Sequence, residues 1–404
     1  MDFEDTFAFT IKVQKAYGSR SCFEPYSGTV LMLIRSHLAF VAVVLMLFYH
    51  LFGEVCYLVK VTTNKQFETE TGMVEESAGI IARSGFTLFG LIKVLVLAYD
   101  RNLLADILGK LRTNWMKQVQ LNRSCRDFYE RSFGSVVKIT TYAAITNVAM
   151  VSLFNIVPIL EMTIETIQTG NCTRILPYTI WYPFDAISGW WFYLVYIFEV
   201  VSASFVAVAN SGFNSMFCLL AVHLSTQIRL LGRSLERIIR TEADAYKMPR
   251  PNLADVVRCH EELLEYKKAI GTIFGGTTFL VFAGASIVIC LQGIIMTTSS
   301  GTDAIKFFLF FVSILLEIFF LCYYGDEIMQ SSNEIGSAVY RSLWYEVEHG
   351  GDARFRKSLI PIIVRSQKPV VLMAWLFWPI TINTFGMANF KNILVIFFAF
   401  KCDL

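Results

Sequence analysis

Long uninterrupted runs of apolar residues dominate this chain. A helix needs about 20 such residues to cross the roughly 30 Å hydrocarbon layer of a membrane. Seven runs of that length are present: Val30–Phe52, Ile80–Tyr99, Val136–Ile159, Trp190–Leu220, Ile270–Thr297, Ala304–Tyr324 and Val370–Phe400. Because the runs are continuous rather than alternating in polarity, a β-barrel is not favoured. The pattern predicts an all-α integral membrane protein with seven transmembrane helices.

The composition supports a membrane protein. Of the 404 residues, 55% are hydrophobic and 17% are charged, whereas soluble domains average about 45–50% and about 25%. A formal net charge of +2 predicts no nucleic-acid partner. Nine cysteines without a CxxC pair and five scattered histidines provide no metal-ligand spacing. Phosphate-binding and nucleophile motifs are also missing from the sequence, which therefore predicts no catalytic residues, no metal, no cofactor and no enzyme.

Basic residues in the connecting segments predict the orientation. Segments 100–135, 221–269 and 326–369 carry 22 lysines and arginines, against four in 53–79, 160–189 and the short fifth connection. Since positively charged loops tend to stay in the cytosol, we expect a cytosolic N-terminus and an extracellular C-terminus. An N-glycosylation sequon at Asn171 falls in a predicted outside loop and agrees. This orientation is the reverse of that of a G-protein-coupled receptor.

Two helices are predicted to extend beyond the membrane. No proline interrupts Trp190–Arg240, so a continuous helix of ~75 Å is expected. The sixth helix is likewise expected to continue to about Trp344. The far end of the first extension carries an apolar stripe, typical either of a cytosolic bundle packed on itself or of a subunit interface; it consists of Ile228, Leu231, Leu235 and Ile238.

Ionisable residues inside predicted spans are costly and call for a role. Glu199 and Glu317 have two open interpretations, a hydrogen bond between helices or a place on a cavity wall. Lys93 and Lys138 lie near predicted inner ends, and we expect their charged ends to reach back to the interface.

Aromatic residues are concentrated at the predicted outer ends of the helices. Some of them, such as Trp190 and Trp191, are typical of an interfacial belt. A cluster this dense also fits the wall of a pocket for a small, neutral, apolar ligand. The candidate pocket residues, taken from one predicted depth, are Phe86, Phe89, Met150, Phe154, Tyr193 and Tyr196.

Pro379 interrupts the last apolar run and leaves a final helix over about residues 380–401. Small and mildly polar side chains recur at helical spacing on one face of it. Such a face is typical of a water-filled pore or, equally, of tight helix packing. The candidate pore-lining residues are Thr384, Ala388, Asn392, Val395 and Ala399, preceded by Thr381.

Several short motifs resemble the insect odorant receptor family. The first is Leu321–Glu327, followed by Ala338–Tyr340 and Trp344. The second is Gln367–Pro369 with the Pro379-Ile380 pair, and a third, Trp181–Asp185, is similar to the second outer loop of the family. The last helix departs from the pattern, because Val395–Phe398 stands where a Tyr-Ser pair is expected. The TYxxxxxQF pattern of the related gustatory receptors is also missing from the sequence.

The resemblance implies an odorant-gated, non-selective cation channel in the plasma membrane of olfactory-neuron dendrites. It implies a heterotetramer with the insect odorant co-receptor, in contact with membrane lipid, opened by a small neutral volatile. The co-receptor carries an inserted cytosolic loop that this chain lacks, so a ligand-tuning subunit is expected. The implied organisation is residues 1–220 with helices one to four, residues 221–369 with helices five and six and the cytosolic anchor, and residues 370–404 with the pore helix. The implied anchor residues are Tyr340, Trp344 and Lys368.

A G-protein-coupled receptor remains the first alternative, although it requires the opposite orientation. A transporter is a further alternative, which would predict an internal repeat or paired broken helices. A purely structural membrane subunit would show no ligand response.

Overall fold

The computed structural model describes residues 3–18, 30–64, 70–121, 123–170, 173–236, 253–298, 301–341, 353–375 and 377–387. This part of the chain forms helices and one short hairpin. The helices are α1 (Phe3–Thr6), α2 (Ala8–Ala16), α3 (Val30–Asn64), α4 (Glu70–Tyr99), α5 (Arg101–Leu121), α6 (Arg123–Thr169), α7 (Trp191–Glu236), α8 (Leu253–Thr298), α9 (Thr302–Arg341) and α10 (Ala353–Ser366), and the strands are β1 (Met373–Ala374) and β2 (Trp378–Pro379).

Six of these helices are long and apolar enough to cross a membrane, namely α3, α4, α6, α7, α8 and α9. Each contains one of the first six predicted apolar runs, which confirms a helical membrane protein. The helices satisfy their own backbone hydrogen bonds, as the membrane interior requires.

The seventh run needs a correction. Val370–Phe400 does not begin as a helix, because β1 and β2 pair antiparallel within it. Trp375 turns the chain with a φ of 56°, and the Ile380 amide donates to the Leu372 carbonyl at 2.8 Å. A helical segment follows over residues 382–387, and residues 388–404 lie outside the described residues.

The helices extend beyond their apolar cores. α6 has 47 residues, α7 has 46 and α9 has 40, so they span about 60–70 Å. Arg229 of α7 pairs with Glu327 of α9 at 3.1 Å, and Arg341 pairs with Glu236 at 2.6 Å. These pairs hold the two extensions against each other.

The apolar stripe on the α7 extension is buried within this chain. Ile228, Leu231 and Leu235 are all buried, while Ile238 lies outside the described residues. Ala338 of α9 packs against Gly232 of α7. A side-chain carbon on this glycine would lie 3.6 Å from the Ala338 Cβ, an ordinary van der Waals distance. The stripe is therefore part of a bundle packed on itself, the first of the two interpretations.

Helices at one end of the bundle were not predicted. Segment 100–135, expected to be a loop, contains α5 and the start of α6. The N-terminal helices fold under the bundle, where Phe7 stacks on His223 of α7 with 5.2 Å between ring centroids. This end carries most of the basic residues, and we call it the basic end. The opposite end carries residues 173–190, and we call it the aromatic end.

Candidate ligand-binding site

A small cavity lies between the helices near the aromatic end, and we call it the aromatic cavity. Helices α3, α4, α6, α7 and α9 contribute to its wall, and residues 173–190 add Tyr178. The wall consists of His50, Glu54, Arg83, Phe86, Thr87, Met150, Val151, Phe154, Tyr178, Ala203, Val206 and Phe310.

Aromatic rings frame this cavity. Phe310 meets Phe86 edge-on at 5.4 Å and Phe154 edge-on at 6.2 Å between centroids. Phe154 in turn stacks on Tyr178 at 6.4 Å. These are favourable ring geometries, so the wall can enclose an apolar or aromatic ligand without leaving polar atoms unpaired on that side.

Three of the six predicted pocket residues lie on this wall. Phe86, Met150 and Phe154 line the cavity and are buried. For these three, the common depth estimated from the apolar runs coincides with a shared face towards the cavity.

For the other three residues the expectation of a shared wall needs a correction. The ring of Phe89 packs against Gly284 of α8. The Tyr196 hydroxyl donates to the Asn155 carbonyl at 2.5 Å, and Tyr193 is 62% exposed. Depth along a helix does not determine which face a residue occupies, and these side chains leave their helices in other directions.

A signal for the buried face of α7 was present in the sequence. Phe192, Val195 and Glu199 follow helical spacing and are all buried. A carboxylate inside the membrane marks the protein-facing side of its helix. Tyr193 lies away from this face, which explains its exposure.

Glu199 ties the loop of the aromatic end to α7. Its carboxylate accepts a hydrogen bond from the Tyr178 amide at 3.1 Å and one from the Tyr182 hydroxyl at 2.9 Å. Burial and the adjacent Glu199 carboxylate raise the pKa of Tyr182, so its phenol stays protonated and donates. Neither interpretation of Glu199 holds as stated, because its partners lie in the loop rather than on another helix and it is not among the residues of the cavity wall.

The aromatic cavity is small. The space open to the centre of a water molecule is ≈ 30 Å³, enough for one or two waters. Cavities that hold drug-sized ligands are about 300–1,000 Å³. Side chains on the wall must therefore move before a volatile of about ten heavy atoms can enter.

A second, polar cavity lies between α6, α7 and α9, and Glu317 is on its wall. Lys93 of α4 pairs with Glu317 and donates to Asn210 at 2.8 Å. The expectation that Lys93 reaches the interface is wrong, because its side chain is 0% exposed. For Glu317 the structure combines both interpretations, an interhelical pair and a cavity wall.

A hydrogen bond connects this ion pair to the aromatic cavity. The Asn210 amide donates to the Phe86 carbonyl at 3.3 Å, and Phe86 lines the aromatic cavity. A shift of α4 on the cavity side therefore disturbs the environment of Lys93.

The hairpin before the last helical segment packs tightly on α8 and α9. The Trp375 amide donates to the Gly275 carbonyl at 3.0 Å. A side-chain carbon on Gly325 would lie 2.3 Å from the Ile380 carbonyl oxygen. Gly325 belongs to the Leu321–Glu327 motif, and this close backbone contact gives the glycine a physical reason.

The remaining predicted residues are placed as follows. Thr384 lies in the first turn of the last helical segment, and its hydroxyl donates to the Pro379 carbonyl at 2.6 Å. Tyr340 and Lys368 are exposed near the basic end. Residues outside the described part of the chain are Asn171, Trp344, Ala388, Asn392, Val395 and Ala399.

A bundle of long apolar helices around a small aromatic cavity is the architecture of a multi-pass membrane protein. The 7tm Odorant receptor family matches residues 81–390, and the chain belongs to that family. It is therefore a receptor and not an enzyme.

Similar proteins come from insects. Odorant receptor 85b of Drosophila melanogaster is 26% identical over 327 residues, covering 80% of this chain and 81% of the relative. Odorant receptor 85c of the same species is 26% identical over 370 residues, covering 90% of each chain. The solved structure of the insect olfactory receptor OR5 from Machilis hrabei in complex with eugenol shares the fold, with a TM-score of 0.77, 15% identity and coverage of 98% of this chain and 97% of that chain.

Proposed function

We propose that this chain is the odorant-binding subunit of a heteromeric, odorant-gated, non-selective cation channel in insect olfactory neurons. The observation that carries the proposal is the aromatic cavity between the helices of an odorant receptor. The structural neighbour from Machilis hrabei was solved with eugenol, a small aromatic compound. By analogy, a small neutral volatile binds in the aromatic cavity of this chain.

In the proposed orientation the aromatic end faces the outside and the N-terminus is cytosolic. The excess of basic residues at the opposite end supports it. The aromatic cavity then lies in the outer half of the membrane, in the plasma membrane of the olfactory dendrite. A volatile reaches it from the medium or from the surrounding lipid.

Gating is proposed to be a population shift. The aromatic cavity must widen to admit a ligand, so a bound volatile favours the wider packing of the helices. Moving the channel from 1% to 99% open takes about 5.5 kcal/mol of differential binding. The contacts of Gly275 and Gly325 with the hairpin then pass the movement to the chain that follows it. In the sequence, that part of the chain carries the proposed pore-lining residues Thr384, Ala388, Asn392, Val395 and Ala399.

The partner is proposed to be the insect odorant co-receptor, in a heterotetramer. Tyr340 is 57% exposed and Lys368 is also exposed, as residues of a subunit anchor must be before assembly. Trp344 is assigned to the same anchor by resemblance alone.

Replacing Phe154 tests the aromatic cavity. Its ring contacts those of Tyr178, Phe307 and Phe310. Phe154→Ala removes this part of the wall, and burying a phenylalanine side chain contributes about 1.5–3 kcal/mol. We expect the half-maximal concentration of an activating volatile to change by about tenfold or more. Tyr193→Ala, at an exposed ring, is the control and leaves the dose–response curve in place. Equal curves for both variants would put the ligand elsewhere.

The function itself is tested by whole-cell current in cells that express this chain with and without the co-receptor, with G-protein signalling blocked. A fast, non-selective cation current that follows a volatile and needs both chains is the expected result. A response that disappears under the block would support a G-protein-coupled receptor instead. Silence across a broad panel, with both chains at the cell surface, would contradict the proposal.

A further inference from the structure

One wall of the aromatic cavity is polar, and no sequence pattern pointed to it. Glu54 is 1% exposed and lies on this wall. Both of its carboxylate oxygens are buried without a hydrogen-bond partner among the described residues. A buried carboxylate without a donor is strongly unfavourable, and a donor inside the cavity, from water or from a ligand, would satisfy it.

His50 does not supply that donor. It lies one turn before Glu54 on the same face of α3, and its Nε2 is 3.7 Å from the nearer carboxylate oxygen. This separation is longer than a hydrogen bond, which has a length of about 2.7–3.2 Å. The two side chains are therefore neighbours with a gap between them.

The position of His50 is set by its other contact. Its Nδ1 lies 2.5 Å from the Ser202 hydroxyl oxygen, and this hydroxyl also lies 3.0 Å from the Glu199 carbonyl oxygen. The contact with Ser202 holds the imidazole towards α7, so the gap to the Glu54 carboxylate stays open.

Arg83 completes the polar wall. Its Nη2 is already bonded to the Thr179 hydroxyl at 2.7 Å, whereas its Nε is buried without a partner among the described residues. The Glu54 carboxylate on α3, an acceptor, thus faces the same cavity as a donor on α4. A hydroxyl group can donate to the first and accept from the second, whereas a ketone or ether can only accept.

We infer that the polar wall formed by His50, Glu54 and Arg83 binds the hydroxyl group of the odorant, so that the chain is tuned to small alcohols or phenols. The inference rests on the proposed odorant-gated function and specifies its ligand class. The rings of Phe86, Phe154 and Phe310 enclose the hydrocarbon part of the ligand, while Glu54 accepts its O–H. A ligand without a donor displaces water from the wall without replacing its hydrogen bonds, and so binds more weakly.

Matched volatiles test the inference on the unmodified chain co-expressed with the co-receptor. Each set pairs an alcohol with its methyl ether, its aldehyde or ketone and the parent hydrocarbon, in aromatic and terpenoid skeletons of six to ten carbons. We expect the alcohols to have half-maximal concentrations lower by about tenfold or more, because within each set only the alcohol can donate a hydrogen bond to the Glu54 carboxylate. Currents as sensitive to ethers or hydrocarbons as to alcohols would overturn the inference while leaving the odorant-gated function intact.

Glu54→Gln provides the second arm. Its amide adds a donor, so the preference for alcohols should fall by about fivefold or more and carbonyl volatiles should gain. The matched control is Glu76→Gln on the neighbouring helix, at a residue bonded to the Tyr57 hydroxyl at 3.1 Å and outside the wall of the aromatic cavity. This control should keep the wild-type ranking. An unchanged ranking in Glu54→Gln at normal surface levels would exclude Glu54 as the acceptor.

Failure of the two proposals can be distinguished. If no volatile opens a current while direct activation of the co-receptor does, both the odorant-gated function and the ligand class are contradicted. If volatiles open currents without regard to a hydroxyl group, only the ligand class is wrong.

Discussion

Lys93→Met is expected to destabilise the folded receptor by about 3–5 kcal/mol, the range found when one partner of a buried ion pair is removed. The Lys93 ammonium pairs with Glu317 and donates to Asn210, and its side chain has no exposed surface. The substitution leaves the Glu317 carboxylate inside the membrane without its countercharge. Thermal unfolding of the purified protein and the fraction at the cell surface measure the loss.

A double substitution separates the pair from the volume of its side chains. Lys93→Met combined with Glu317→Leu removes both charges, and we expect it to recover most of the stability because apolar replacements of buried pairs are often neutral or stabilising. Lys110→Met is the control, since its pair with Asp106 is exposed at 51% and 56% and exposed pairs contribute little to stability. If Lys93→Met behaved like Lys110→Met, the buried pair would have no structural role.

Gly325→Ala is expected to uncouple ligand binding from the last helical segment. The added carbon would lie 2.3 Å from the Ile380 carbonyl oxygen and 2.8 Å from Ile380 Cγ2. Backbone cannot rotate away as a flexible side chain can, so the chain before the last segment must shift, at a cost of about 1–3 kcal/mol. We expect the ligand-evoked current to fall by about tenfold or more at normal surface levels.

Gly271→Ala is the matched control, because the same added carbon on α8 would meet nothing within 4 Å. Alanine is the better helix former by up to about 1 kcal/mol, so this variant should be at least as stable as the wild type and keep its current. A wild-type dose–response curve in Gly325→Ala would show that the contact with Ile380 does not transmit gating.

The pair Gly271 and Gly275 on α8 shows where a sequence motif is insufficient. Gly271 and Gly275 have the spacing of a helix-packing motif, yet only Gly275 is in close contact. Its partner is the hairpin, since the added carbon would lie 2.8 Å from the Met373 carbonyl oxygen. Such spacing predicts a close approach without identifying what approaches.

Part of the aromatic cavity was predictable and part was not. Phe86, Met150 and Phe154 came from their common depth in two apolar runs. Glu54 was missed because the first run ends at Phe52, which assigned Glu54 to a loop, whereas α3 continues to Asn64. Charges just beyond an apolar run end the hydropathy signal even where the helix and its burial continue.

Lys93 was misplaced for a related reason. Hydropathy gives the depth of a lysine in its helix, and a lysine near the end of a span has the reach to meet the interface. Whether it does so depends on which helix lies opposite. Glu317 is 224 residues further along the chain, and no local pattern links the two positions.

The sequence by itself determined the class of the protein and the six long helices, because the cost of placing polar groups in a membrane imposes a pattern that composition and run length report directly. Its short motifs, by resemblance, indicated the family. Only the tertiary structure decided which face of each helix is buried, where the seventh run breaks into a hairpin and which charges meet. Those features depend on contacts between residues far apart in the chain, and the rotation of one helix against another leaves its hydropathy unchanged.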